Sequence, residues 1–154
     1  MSNEMRDKMA EAEEWIEKYP FLRIKDNSVY PWLNTEEIEE HWLQEIPQGW
    51  LDAFGKQMCD ELLEALGDYA DDWIIAQVKE KFGELRVYHY FADDDRIEAE
   101  EQELEEIKYK IDEIVDRYSH VSYRTCVECG SAADVRTVNG WVAPYCKSCY
   151  EKRV

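Results

Sequence analysis

At 154 residues and 18.4 kDa the chain matches one ordinary domain, or one domain with a small appendage, and excludes a large multidomain enzyme. Hydrophobic residues make up 45% and aromatics 13%, enough to bury a sizeable core and to exclude a chain disordered throughout. Lys plus Arg number 18 against 36 Asp plus Glu, a formal charge of -18, whereas a sequence-independent binder of duplex DNA needs surplus cations.

The charge is unevenly placed. Residues 1–119 carry 13 cations against 33 anions, or -20, and residues 120–154 carry five against three, or +2. No apolar run approaches the roughly 18 residues of a membrane span, and MSNEMRDKMAEAEEW lacks the basic and then apolar profile of a secretion signal. The expectation is a soluble, cytoplasmic product whose five cysteines serve as thiols or metal ligands.

Met5, Met9, Ala12, Ile16 and Tyr19 recur at steps of three and four before Pro20, which predicts a helix over about 4–19. Phe21 to Trp32 reads as an irregular strand or loop. Asn34 followed by Glu37 resembles a capped start for a helix over 35–46, with Ile38, Trp42 and Leu43 inward and Pro47 ending it. A helix over 49–66 then carries Trp50, Phe54, Met58, Leu62 and Leu66 at intervals of four, with Gly67 placed as its cap and Cys59 as a small core residue.

Trp73 to Phe91 alternates around Gly83-Glu84, the chemistry of a type II′ turn, so a hairpin over 73–91 is expected. With those turn residues, Phe82 opposes Leu85, Val78 opposes His89 and Ala76 opposes Phe91. One face, Ala76, Val78, Phe82, Leu85, Val87 and Phe91, is then core. The other carries Gln77, Lys79, Lys81, Arg86, Tyr88 and Tyr90, a basic and aromatic surface in an otherwise acidic body. Beyond Asp93-Asp94-Asp95, whose charges complement a helix start, a helix over 94–119 places Ile97, Leu104, Ile107, Ile111, Ile114 and Tyr118 in one seam. That seam suits packing within the chain and would also suit a second copy through residues 97–118.

The strongest signal is Cys126-Val127-Glu128-Cys129-Gly130 and Cys146-Lys147-Ser148-Cys149, two C-x2-C pairs sixteen residues apart. At that spacing four thiolates can close a tetrahedral zinc site with Zn–S distances of about 2.3 Å. Gly130 is expected to relieve crowding where backbone N–H groups turn toward sulfur. Between the pairs, Asn139-Gly140 marks a second small hairpin. Four soft ligands leave no position for water, so one Zn2+ is expected to be structural. The expected fold is therefore α+β: an acidic body over 1–119 with helices packed on an antiparallel β-hairpin, then a zinc ribbon or treble-clef-like module over 120–154.

Enzyme constellations are poor. His41, His89 and His120 are scattered, no P-loop, G-x-S-x-G or dinucleotide fingerprint appears, and His89, diagonal to Glu80, reads as a satisfied hydrogen-bonding pair ahead of a base. No catalytic residue is assigned.

Tyr19-Pro20, Gly49-Trp50-Leu51, Met58-Cys59, the run from Gln77 to Tyr88 and the four cysteines with Gly140-Trp141 between them are together similar to a family of small uncharacterised bacteriophage and prophage proteins. The resemblance covers about residues 19–150, and its most distinctive piece is the Q-V-K-E-K-F-G-x-L-R-x-Y hairpin. In that family the second metal pair often ends in His, where this chain has Cys149, and the acidic segment from Arg96 to Asp116 is a departure. The resemblance implies a phage accessory protein in a bacterial cytoplasm and carries no activity with it. The leading expectation is a non-catalytic, zinc-stabilised protein that binds, and in that setting blocks, a host or antiviral-defence protein. The alternative is a nucleotide or single-stranded nucleic acid bound by Lys79, Lys81, Arg86, Tyr88 and Tyr90, with an enzyme built on His89 and Glu80 more remote.

Overall fold

The computed structural model of the protein describes residues 2–29, 31–32, 40–92 and 98–154. The expected cap at Asn34 and Glu37, Ile38, the run from Asp93 to Asp95 and Ile97 lie outside them. Helix α1 spans Asn3–Lys18 and buries Ala12 and Ile16. Pro20 lacks the N–H that would continue the helix, and instead opens a 3-10 turn, Pro20–Leu22, that drives Phe21 and Leu22 into the core.

In place of a helix reaching residue 46, the described part of that segment is a single 3-10 turn, Trp42–Glu45. A bridge to Arg23 holds His41 extended, and Pro47 follows too soon for a longer run. His41 caps the turn: its Nδ1 accepts the Leu43 N–H at 3.2 Å, while Gln44 Oε1 accepts the His41 N–H at 2.9 Å. Trp42 and Leu43 are buried, as expected.

The next helical run comprises α2 (Gln48–Trp50), a π turn (Leu51–Gly55) and α3 (Lys56–Leu66). Its apolar residues step by four, whereas an α-helix repeats every 3.6, so the stripe would drift about 40° at each step. A wider i→i+5 turn takes up part of that drift. Trp50, Phe54, Met58, Leu62 and Leu66 are all buried, and Gly67 ends the run at φ +52, its N–H on the Leu63 carbonyl.

Strands β1 (Trp73–Lys81) and β2 (Glu84–Phe91) form the expected antiparallel hairpin with a corrected register. Lys81 pairs with Glu84, so the turn residues are Phe82 and Gly83, both at positive φ in the manner of a type I′ turn. Two contacts favour this turn: Glu80 Oε1 accepts the Gly83 N–H at 2.7 Å, and Gly83 lies against Ala143 and Pro144. Val78 therefore opposes Val87. The shift of two residues preserves which side each residue takes, so Lys79, Arg86, Gln77 and Tyr88 still share the outer face. A bulge between Ile75 and Gln77 then reverses the phase, so Trp73 and Ile75 enter the core where Ala76 was expected. Phe82, expected in the core, is 68% exposed at the tip.

Helix α4 (Glu98–Ser122) lies against α3 and β2. Leu104, Ile111, Ile114 and Tyr118 are buried within the chain, so the seam is covered by its own body. Polar bonds fix both contacts: Arg117 Nη1 donates to Glu61 Oε1 at 2.6 Å, Tyr118 OH donates to the same carboxylate, and the Leu85 N–H donates to Ser122 Oγ at 2.9 Å. A second hairpin, β3 (Asp134–Val138) and β4 (Trp141–Tyr145), turns at Asn139-Gly140 as expected, and α5 (Lys147–Arg153) closes the described chain. The fold is α+β, with two two-stranded antiparallel sheets among the described residues. No described helix is long and apolar enough to cross a membrane.

His41 generates a pH prediction. Its ring is buried, stacked on Trp15 at a centroid distance of 5.4 Å, and burial pulls its pKa down to about 4. The fold thus favours the neutral ring. Its stability contribution is full above the unfolded value near 6.5 and is lost as pH falls from there toward 4. Chemical denaturation should show a fall on the order of 2 kcal/mol over that window, markedly reduced in His41→Asn, which retains a capping oxygen.

Candidate metal centre and hairpin face

The four predicted ligands come from two places. Cys126 and Cys129 flank a tight turn after α4, and Cys146 and Cys149 flank the start of α5. The β3–β4 hairpin carries the second pair back onto the first. All four Sγ atoms fall within 4.8 Å of one another, the only group of three or more such donors found among the described residues. Cys129 Sγ and Cys146 Sγ are 3.6 Å apart, near the edge of about 3.8 Å of a tetrahedron with 2.3 Å bonds. Four soft donors at that separation fit a thiophilic cation.

Local donors prepare the thiols. Cys146 caps α5, its Sγ accepting the Cys149 N–H at 3.4 Å, and this backbone donor with the Ser131 hydroxyl holds its pKa down at about 6. Ser131 Oγ lies 3.0 Å from Cys129 Sγ and lowers that thiol as well. Cys149 is pushed up to about 12, chiefly because it hydrogen-bonds to a neighbour that ionises first. A divalent ion bound by all four would hold each of them as thiolate. Cys59, by contrast, is buried in α3 and its thiol is raised by desolvation, which fits a core residue.

Gly130 stands at φ +78 as a knuckle glycine should, but its N–H bonds to the Cys126 carbonyl at 3.0 Å. Its lack of a side chain serves a different contact: a Cβ there would lie 2.6 Å from the Gly49 carbonyl oxygen. The reciprocal approach is closer still, since a Cβ on Gly49 would sit 2.2 Å from the Cys126 oxygen. The Gly49 N–H donates to the Val127 carbonyl at 2.9 Å, and Trp50 Nε1 donates to the Thr125 carbonyl at 2.8 Å. The cysteine module is therefore docked on the start of α2.

The outer face of the first hairpin holds all five residues singled out for ligand binding. Lys79 Nζ lies 5.6 Å from the Tyr88 ring centroid and Lys81 Nζ 5.8 Å from that of Phe82. Arg86 pairs with Glu84 of its own strand at 2.9 Å, and the Tyr90 hydroxyl donates to Asp26 Oδ2 at 2.7 Å. Among the described residues, neither lysine forms an ion pair with α4.

His89 is inward, but its partner is not Glu80. The bulge carries it to Trp73, whose Nε1 donates to His89 Nδ1 at 3.0 Å, so the neutral ring carries its proton on Nε2, 3.3 Å from Asp112 Oδ1. Burial lowers its pKa and Asp112 opposes that shift. In this arrangement the one basic nitrogen is occupied by the indole N–H, which leaves no lone pair for a general base. The docking role of Gly49 and Trp50 and the link from Trp73 to Asp112 had no motif in the sequence. The nearest signal was a glycine inside the first turn of a helical run, where its lack of a side chain costs stability.

Comparison with protein-family models, with curated proteins and with solved structures finds no match to the chain.

Gly49→Ala should destabilise the protein by about 2 kcal/mol or more, because backbone on both sides must move. Urea unfolding measures the loss, and the thiols of Cys126 and Cys129 should react faster with a thiol reagent as the module lifts away.

Proposed function

We propose that the chain is a binding protein without catalytic chemistry, whose cysteine cluster holds one structural Zn2+ and whose acidic body engages a basic surface on another protein. The observation that carries this reading is the donor set: four thiols converge and, among the described residues, no fifth coordinating side chain joins them, the composition of closed structural zinc sites. The order of knuckle, hairpin and short helix is that of a treble-clef-like module. His89, half-buried and facing Asp112, has its basic nitrogen occupied, which supports the absence of acid–base work at that position.

The partner follows from charge. Glu11, Glu13, Glu14 and Glu17 of α1 and Glu100, Glu101, Glu105 and Glu106 of α4 are exposed, and the body's surplus of anions would steer a cationic surface into encounter. In the phage setting that the hairpin motif implies, the target is a host or antiviral-defence protein in the bacterial cytoplasm.

Two outcomes are expected. Native mass spectrometry and elemental analysis should find one zinc per chain, and Cys126→Ser with Cys146→Ser or strong chelation should lower the melting temperature markedly. Affinity capture with the tagged full chain should recover a stoichiometric basic protein at about 0.15 M salt. Its association with the purified chain should slow at about 0.5 M salt and in Glu11→Gln/Glu14→Gln/Glu17→Gln. An association rate indifferent to both would count against the acidic surface as the point of contact.

A further inference from the structure

Phe82 occupies a backbone conformation at odds with its type. It sits at φ +53, a region in which Asn and Gly are comfortable and a bulky aromatic is an outlier, and its ring is 68% exposed. The fold gains no core burial from that ring. The second hairpin solves the same turn with Asn139 at φ +50 followed by Gly140. A sequence selected for the turn alone would place Asn-Gly at residues 82 and 83 as well.

The tip of the first hairpin rests on the second hairpin. Gly83 packs so closely on β4 that an added Cβ would lie 3.2 Å from Pro144 Cδ and 3.4 Å from Ala143 Cα. Two residues before Ala143 stands Trp141, 70% exposed. Phe82 precedes Gly83 and Trp141 precedes Ala143 by two, so an exposed aromatic residue flanks this contact on each hairpin, and Tyr88, 44% exposed, lies on the outer face of the first.

We propose that this surface is a stacking platform for single-stranded nucleic acid, with Phe82 and Trp141 as principal contacts and Lys79 and Lys81 as phosphate contacts. The charge pattern selects that occupant. Each of Tyr88 and Phe82 has a lysine ammonium less than 6 Å from its ring centroid, the pairing of a flat face with a cation that matches a base and its phosphate. The carboxylate nearest in register, Glu84, is occupied by Ser119 Oγ at 2.7 Å, Tyr123 OH at 3.2 Å and Arg86 at 2.9 Å. An apolar pocket on a protein would have to strip water from both ammonium groups, whereas a polyanion neutralises them. This surface is independent of the acidic faces of α1 and α4, and stands or falls separately from the protein partner proposed for them.

The test uses the full, metal-loaded chain and a fluorescently labelled oligothymidylate of about 12 nucleotides, read by anisotropy and by quenching of tryptophan emission. The parent should bind at low salt, with affinity falling as salt rises, and should prefer the single strand to a duplex of equal length. Phe82→Asn separates function from folding, because it relieves the turn: its melting temperature should rise while affinity drops about tenfold. Trp141→Ala should weaken binding to a similar degree and abolish most of the quenching, and Lys79→Gln/Lys81→Gln should flatten the salt dependence. No binding by the parent at low salt, or binding by Phe82→Asn equal to the parent's, overturns the proposal. A stabilised Phe82→Asn in a chain whose parent ignores the oligonucleotide would assign the exposed ring to a protein contact, and also overturns it.

Discussion

The structure turns on one approach of backbone to backbone. Gly49 and Gly130 face each other with no side chain between them, and the Gly49 N–H meets the Val127 carbonyl inside the cysteine knuckle. Trp50, fully buried, adds a bond from its indole to the Thr125 carbonyl, so one dipeptide connects the start of the central helical run to the base of the cysteine cluster. Hydrogen bonds that are satisfied inside a packed, low-dielectric contact hold geometry well, and they leave little tolerance for an added methyl group. Val127 packs against both the large core and the small one, which makes the junction apolar as well as hydrogen-bonded.

From this contact the placement of the other parts follows. The thiols are brought together by the second hairpin, and the tip of the first hairpin rests on its strand β4, so the cysteine module meets the body at Gly83 as well as at Gly49. Helix α4 links the same regions from another side, through Ser119 and Ser122 to β2 and through Arg117 and Tyr118 to Glu61 of α3. The acidic surfaces of α1 and α4 are therefore carried by elements whose apolar sides are already occupied, which suits charge that acts at a distance.

Much of this was legible in the sequence, and the exceptions have physical causes. The helices over 3–18 and 98–122 and the run from 48 to 66 announced themselves by periodicity, and the cysteine pairs by spacing. The outer hairpin face survived an error in the turn because a two-residue register shift conserves side-chain parity. Phe82 was misplaced because Gly-X and X-Gly turns are both open to a glycine at residue 83, and the choice is made by Glu80 and by the distant Ala143 and Pro144. Local patterns cannot reveal the bulge after Ile75, which depends on the core accepting Trp73 and Ile75 together, or the shortened turn at Trp42, which depends on a bridge from Arg23. The partner of His89 was missed for the same reason, since it is the bulge that brings Trp73 to it.

The bond between Trp50 and Thr125 joins residues 75 positions apart. Closing so long a loop is entropically expensive, and topologies rich in such contacts reach the native state slowly. The cysteine pairs, by comparison, are separated by only a short hairpin and can be drawn together locally. During synthesis the Trp50 indole cannot reach its acceptor until Thr125 and the knuckle beside it have left the ribosome.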